Sequence, residues 1–105
     1  MYAMRKVDLS ITFVYIIDES LSMSKGKIAA QVSHVAMDLA DEYKVLGRAV
    51  ILKADHKTIM HMFKYPHVKF IIDAGLNEVP EGTLTCIGFK QTDFMRNMTK
   101  DLKLV

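Results

Sequence analysis

The sequence predicts a small α/β domain of three layers (α/β/α), with helices on both faces of a mixed four-stranded sheet. The first observation behind this fold class is the order of the elements. A strand, a helix and a second strand open the chain and predict a right-handed crossover between two parallel strands. The second observation is the nearly continuous apolar run at residues 10–17, which is typical of a strand covered on both faces. We expect residues 1–9 to form a short N-terminal extension and residues 10–105 to form a single domain.

Each predicted element has a local reason. The first strand is rich in β-branched and aromatic residues, Ser22 or Ser24 can cap the first helix, and Gly47 marks the end of that helix. Asp55 can cap the second helix, which ends before Pro66. The last two strands, joined by a loop of about ten residues, are predicted to be antiparallel. The predicted boundaries are strand 10–17, a helix ending near residue 43, strand 48–54, helix 56–64, strands 68–72 and 83–89, a helix ending near residue 99, and a terminus packed down by Leu102, Leu104 and Val105.

Composition narrows the class of protein. Half of the 105 residues are hydrophobic and 25% are charged, so one ordinary hydrophobic core is expected. The formal net charge is only +2, so contact with nucleic acid must come from a local patch. The single cysteine, Cys86, excludes an internal disulfide and favours the reducing cytoplasm. No apolar run approaches the roughly 18 residues of a membrane span and no signal peptide is recognised, so no membrane association is expected.

The first predicted helix carries a polar face that suits a reactive site. Its members lie three or four residues apart, so their side chains are neighbours on a helix. A cation, an amide, an imidazole and a carboxylate meet there, on Lys27, Gln31, His34 and Asp38. The same pattern is also typical of the solvent face of an amphipathic helix, so both interpretations stay open on this observation alone.

An anion site is predicted where this helix begins. Gly26 lies between Lys25 and Lys27, close to the expected first turn. Glycine bares the backbone, and the N–H groups and positive dipole end of a helix start attract anions. A phosphate group is the expected ligand.

Asp73 follows the third predicted strand, at the edge of the sheet where ligands are expected. In open α/β sheets, ligands bind outside the carboxyl ends of the parallel strands. The first helix starts from the same edge. We therefore expect Asp73 to face Lys27 across a cleft.

The sequence predicts no metal site. His56 and His61 are five residues apart, about 140° round a helix, so their side chains diverge. Cys86 has no partner at the spacing of metal ligands.

Three motifs, in the right order along the chain, resemble those of the type 2 peptidyl-tRNA hydrolases. The first is similar to the signature helix of that family, the second to its loop signature, and the third to its C-terminal close. They are Met-Ser-Lys-Gly-Lys-Ile-Ala-Ala-Gln-Val-Ser-His at residues 23–34; Asp-Ala-Gly-Leu at residues 73–76 with Val79, Pro80, Gly82 and Thr85; and Met-Thr-Lys-Asp-Leu-Lys-Leu-Val at residues 98–105.

The resemblance implies both an activity and a set of residues. Members of that family hydrolyse the ester between a peptide and the terminal ribose of tRNA, as homodimers, without a metal or other cofactor. The family's functional lysine, aspartate and strand threonine fall on Lys27, Asp73 and Thr85. Gln31 and His34 match helix positions of the same motif. The expected partner is therefore the acceptor end of peptidyl-tRNA.

Each of these residues has an expected chemical role. Lys27 would stabilise the negative charge that develops on the ester carbonyl. Asp73 would orient or activate the attacking water, with Thr85 hydrogen-bonding at the same centre. His34 is either a proton shuttle or a structural histidine. The residues expected to hold the phosphate and ribose of tRNA are Lys25, Gly26, Gln31 and Lys90.

Several departures from the family pattern suggest an alternative function. Asn77, also assigned to the catalytic group, stands where the family usually has a threonine, so a hydroxyl is lost. In the loop before the helix, Asp18, Ser20 and Ser22 replace a basic residue, an aspartate and a lysine. Lost positive and added negative charge would weaken contact with the tRNA backbone. The alternative is a catalytically weak or inactive relative that binds tRNA or a protein partner.

Overall fold

A computed structural model describes residues 6–105 of the chain; residues 1–5 of the predicted N-terminal extension lie outside the described part. Its elements are β1 (Asp8–Asp18), a 3-10 turn (Glu19–Leu21), α1 (Lys25–Tyr43), β2 (Gly47–Ala54), α2 (His56–Met62), β3 (Lys69–Ile72), β4 (Leu84–Lys90), α3 (Asp93–Thr99) and β5 (Lys103–Leu104). Over residues 6–105, no helix combines the length and apolar character needed to cross a membrane.

The sheet has the mixed topology that the sequence predicts. Its strand order is β3-β4-β1-β2-β5. The neighbours β1 and β2 are parallel, joined through α1, while β4 is antiparallel to both β1 and β3. The predicted parallel pairing of two strands joined by a helix and the predicted antiparallel pairing of the last two predicted strands are therefore confirmed.

The predicted number of strands is wrong, because β5 adds a fifth. Leu104 and Lys103 pair in antiparallel fashion with Leu52 and Lys53 of β2. The expected apolar packing of the terminus is also only partly correct, since Leu104 is 68% exposed while Leu102 packs on the core. A two-residue strand held by backbone hydrogen bonds leaves too short a side-chain pattern to be recognised in a sequence.

Two apolar clusters, one on each face of the sheet, confirm the three-layer architecture. The side chains of α1 cover one face of β1, and those of α2 and α3 cover the other. On the α1 side the buried residues are Phe13, Tyr15, Ile17, Met23, Val35, Leu39, Val79 and Cys86. On the other side they are Val14, Ile16, Leu52, Ala54, Ile59, Met62, Val68, Leu84, Ile87, Phe89 and Met95. Successive side chains of β1 point to opposite faces of the sheet, and both faces are covered. Residues 10–17 therefore form an almost continuous apolar run.

The caps of α1 resolve one open choice and correct one expectation. Ser24 is the N-cap, and its hydroxyl oxygen accepts a hydrogen bond from the Lys27 N–H at 3.2 Å. The helix ends at Tyr43, as predicted, but its C-cap is Lys44, whose backbone is left-handed (φ 57°), and not the expected stop signal Gly47. Gly47 is instead the first residue of β2, where it packs closely against Ile11.

Three strands direct their carboxyl ends to one edge of the sheet. Both β1 and β3 are antiparallel to β4, so they run parallel to each other and to β2. Consequently, the chain leaves β1, β2 and β3 at the same edge, where α1 begins. The predicted meeting of the first helix with the loop after β3 follows from this topology.

Close packing between α1 and the sheet generates a prediction about Gly88. A Cβ at Gly88 would lie 2.5 Å from Val35 Cγ1 and 3.0 Å from Tyr15 Cδ1. We expect Gly88→Ala to lower the free energy of unfolding by about 1–3 kcal/mol through overpacking, measured by urea denaturation. Gly26→Ala is the matched control, because a Cβ there meets no atom within 4 Å beyond its chain neighbours and its own helix backbone. Equal midpoints for the two variants would contradict the prediction.

Candidate active site

A cleft of about 310 Å³ lies between the first turns of α1 and the loop that follows β3. Side chains that can take part in a reaction converge here: a lysine, an aspartate, amides and a histidine. The lining residues are Lys27, Ala30, Gln31 and His34 from α1, and Ile71, Ile72, Asp73, Ala74, Leu76 and Asn77 from β3 and its following loop.

An ion pair forms the centre of this cleft. Lys27 Nζ lies 2.6 Å from Asp73 Oδ1, and the two side chains are only 9% and 7% exposed. The helix and the loop thus supply opposite charges to one pocket wall. This contact confirms that the two predicted residues meet at this end of the sheet, although they touch directly on one wall of the cleft and do not face each other across it.

The Asp73 carboxylate accepts two further hydrogen bonds. Gln31 Nε2 donates to Oδ1 at 2.7 Å, and the Gly75 backbone N–H donates to Oδ2 at 2.7 Å. The bond from the Lys27 ammonium is the largest influence, followed by those from Gly75 and Gln31, and together they hold the pKa of Asp73 below its usual value of 3.8. Partial burial opposes this lowering and does not overcome it. Asp73 is therefore a carboxylate at neutral pH.

Two residues that sequence reasoning did not assign to the site hold its loop in place. Gly75 has a positive φ of 77°, and a Cβ there would collide with the backbone of Glu81. Glu78 accepts hydrogen bonds from both the N–H and the hydroxyl of Ser24, so it ties the loop to the start of α1. The Asp-Ala-Gly sequence is a turn signal that points to Gly75, but nothing in the sequence pattern pairs Glu78 with Ser24.

Two buried polar atoms have no hydrogen-bond partner among the described residues. They are Gln31 Oε1, in the cleft, and Thr85 Oγ1, in β4. Thr85 is completely buried where β4 bulges against β3, and it is not one of the residues that line the cleft. Thr85 therefore makes no hydrogen bond with Lys27 or Asp73.

The remaining predicted site residues divide into two groups. His34 and Asn77 are exposed and line the cleft, and the Asn77 side-chain oxygen accepts a hydrogen bond from the Glu78 N–H. Lys25 and Gly26 lie exposed in the first turn of α1.

Lys90 is far from the cleft. It is the last residue of β4, at the end of the strands opposite to the cleft, where its Nζ lies 5.6 Å from the centre of the Tyr43 ring. Tyr43 is the last residue of α1, roughly 28 Å along the helix from its start at the 1.5 Å rise per residue. Lys90 and the residues of the cleft therefore belong to different regions of the surface.

Comparison with known proteins identifies the family. The family described as "Peptidyl-tRNA hydrolase PTH2" matches residues 11–105, a span that includes both Lys27 and Asp73. The chain belongs to the PTH2 family.

Individual relatives agree with the family match. The chain is 34% identical to "Peptidyl-tRNA hydrolase" of Thermococcus sibiricus, with 88% of this chain and 95% of the relative covered. It is 32% identical to the protein of the same name from Thermococcus onnurineus, with the same coverage. It is 29% identical to "Peptidyl-tRNA hydrolase 2, mitochondrial" of Bos taurus, over 87% of this chain and 62% of the relative. The resemblance carried by the three sequence motifs is thus confirmed.

Asp18, one of the departures from the PTH2 pattern, lies away from the cleft. It is completely buried at the end of β1, where its Oδ2 lies 2.9 Å from His56 Nδ1 in α2, on the face of the sheet opposite α1. Its Oδ1 accepts hydrogen bonds from the backbone and hydroxyl of Ser20. The negative charge of Asp18 is consequently not presented at the surface beside Lys27.

The lowered pKa of Asp73 predicts how acid affects the site. The interactions that stabilise its carboxylate are fully present above the unfolded-state pKa and are lost as the pH falls through the lower pKa of the folded state. We expect wild type to be more stable than Asp73→Asn at about pH 7, and the difference to shrink once the pH falls below about 4. Urea unfolding of both proteins across this range tests the prediction. A difference independent of pH would contradict it.

Proposed function

We propose that this chain hydrolyses the ester bond between peptide and tRNA in peptidyl-tRNA, releasing free tRNA and peptide. The observation that carries the proposal is the Lys27–Asp73 ion pair, which lies in an open cleft at 2.6 Å. A cation held beside a carboxylate is suited to a reaction that builds negative charge on a carbonyl oxygen. The names of the PTH2 relatives support the same substrate.

Lys27 is assigned the role of stabilising the oxyanion that forms on the ester carbonyl. An ammonium carries three N–H donors, and one of them is used by Asp73 Oδ1. The other two can reach a substrate carbonyl placed in the cleft. When water adds to the carbonyl carbon, the oxygen gains a negative charge that the ammonium stabilises.

Asp73 is assigned to the orientation of Lys27 and of the attacking water. A carboxylate offers about four acceptor positions, and three of them are filled by Lys27, Gln31 and Gly75. The remaining position, on Oδ2, suits a hydrogen bond from water. Because its pKa is lowered, Asp73 is a weak base, so orientation is favoured over full removal of the proton.

Proton transfer completes the reaction. The water oxygen bonds to the carbonyl carbon, the bond from that carbon to the ribose oxygen breaks, and a proton from the water passes to the leaving ribose oxygen. His34, on the cleft wall, is assigned to this transfer, and Asn77 to a hydrogen bond with the substrate. Thr85 has no direct contact with substrate in this mechanism, because its side chain is buried outside the cleft.

The acceptor end of tRNA is proposed to bind at the start of α1. The Lys25 ammonium and the Gly26 N–H would contact phosphate, and Gln31, which lines the cleft beside Lys27, would lie against the ribose. Glu78 already places one carboxylate at this helix end, so the phosphate contact depends on the Lys25 side chain. Lys90 would contact only a more distant part of the tRNA.

Replacement of Lys27 tests the proposed catalytic role. We expect Lys27→Ala to lower kcat for peptidyl-tRNA hydrolysis by at least about 100-fold, the usual effect of losing an oxyanion donor. Release of free tRNA from purified peptidyl-tRNA is the measurement. Lys57→Ala is the matched control, since Lys57 is an exposed lysine on α2, across the sheet from the cleft. Absence of release by wild type would instead favour the inactive alternative.

A homodimer in the cytoplasm is the proposed state of the protein. Val7, Leu9 and Leu46 expose 50%, 73% and 37% of their side chains at the amino end of β1. The Asp8 N–H donates to the Leu46 carbonyl at 2.8 Å, which gathers these side chains into one patch away from the cleft. A second copy would cover the patch. The buried thiol of Cys86 suits a reducing compartment.

Sedimentation velocity tests this dimer. We expect wild type to sediment as a dimer at micromolar concentration and Leu9→Glu to sediment as a monomer, because a charge in the centre of an apolar interface loses its hydration. Leu76→Glu is the control, since Leu76 is 88% exposed but lies in the cleft loop at the other edge of the sheet. A monomeric wild type would show the dimer proposal to be wrong.

A further inference from the structure

We propose that the outer edge of β3 binds the peptide part of peptidyl-tRNA as an added parallel strand. This inference rests on the proposed function and extends it from the ester to the chain attached to the ester. It assigns a role to a backbone edge and to exposed apolar side chains that the reaction itself does not use.

The backbone of β3 is open on one side. In the sheet formed by residues 6–105, β3 is the first strand and has β4 as its single neighbour. The Asp73 N–H and carbonyl are bonded to Thr83 and Gly82, on the β4 side. Since backbone groups alternate in direction along a strand, those of Phe70 and Ile72 point away from β4, where an incoming strand can pair with them.

This edge leads directly into the cleft. Ile71 and Ile72 line the cleft together with Asp73, which follows them in the chain. A peptide whose ester carbonyl lies beside Lys27 has its C-terminal residue at the carboxyl end of β3. Its preceding residues can then extend back toward Lys69, parallel to β3. Four strand residues at about 3.3 Å each span about 13 Å, enough for about four residues of the peptide.

The chemistry of the edge suits peptides of any sequence. Main-chain hydrogen bonds recognise the one feature that all peptides share. Phe70, Ile72 and Leu76 expose 45%, 47% and 88% of their side chains, so apolar contacts are also available. The one charged residue of β3, Lys69, is paired with Glu42 at 2.7 Å on the α1 face and imposes no preference on the edge.

N-methylation of the substrate gives the first test, with the wild-type protein. A set of pentapeptidyl-tRNAs carries a single N-methyl group at each successive amide counted from the ester. We expect kcat/KM to fall by about fivefold or more at every second amide and by less than about twofold at the amides between, because only alternate N–H groups of an added strand face β3. A loss without this two-residue period overturns the proposal.

Replacement of Phe70 gives the second test. Phe70→Pro removes the outward N–H and the ring, whereas the matched variant Phe70→Ala removes only the ring. The measured quantity is kcat/KM for pentapeptidyl-tRNA divided by kcat/KM for N-acetyl-aminoacyl-tRNA, whose acyl group is too short to reach Phe70. We expect this ratio to be about tenfold lower in Phe70→Pro than in Phe70→Ala.

Other outcomes separate the two proposals. Equal ratios in folded Phe70→Pro and Phe70→Ala overturn the peptide site and leave the hydrolase function intact. A wild type that cleaves neither substrate overturns the proposed function and this inference with it. If Phe70→Pro does not fold, the N-methyl series on the wild type decides whether the peptide binds along β3. Sedimentation of Phe70→Pro as a monomer, beside dimeric Phe70→Ala, would assign the edge to a second copy of the chain and overturn the proposal.

Discussion

The contact between Lys27 and Asp73 is the constraint around which the cleft is built. Two opposite charges, each less than 10% exposed, meet at 2.6 Å between the third residue after the Ser24 cap and the residue that follows β3. Removing either partner would leave an uncompensated charge in a poorly hydrated place, which is far more costly than losing an exposed pair. The position of α1 relative to the loop after β3 is therefore tied to the chemistry of the site. Gln31 and Gly75 strengthen this link, because each donates a further hydrogen bond to the same carboxylate.

The loop after β3 supports that pair through its backbone as much as through its side chains. The Asp73 main chain is bonded to Thr83 and Gly82, and the left-handed Gly75 lets the chain turn tightly against Glu81. Glu78 links the loop to the start of α1, because its carboxylate accepts a hydrogen bond from the Ser24 N–H. A site held in this way is pre-organised, so little rearrangement is needed when charge develops on a substrate. Asp18, which departs from the family pattern, lies on the opposite face of the sheet and pairs there with His56.

The same edge of the sheet brings together the parts that a peptidyl ester would need. The start of α1 offers a cation and backbone donors, the end of β3 offers a carboxylate, and the backbone edge of β3 continues outward from them. An ester between a nucleotide and a peptide has its two halves on either side of one carbonyl. The proposed tRNA and peptide contacts accordingly lie on two sides of the Lys27–Asp73 pair. This arrangement follows from three strands sharing the direction of their carboxyl ends.

The sequence by itself determined the fold class, the main elements and the central pair. The nearly continuous apolar run of β1 and the helical spacing in α1 are local patterns, and the motif around Lys27 and that around Asp73 are each contiguous. Only the tertiary structure decided the rest, because it depends on distances between residues remote in the chain. It placed Thr85 in the interior and Lys90 at the far end of α1, added β5 through backbone pairing, and joined Glu78 to Ser24 across 54 positions. A sequence pattern reports which side of its own element a residue occupies; it does not report which element packs against that side.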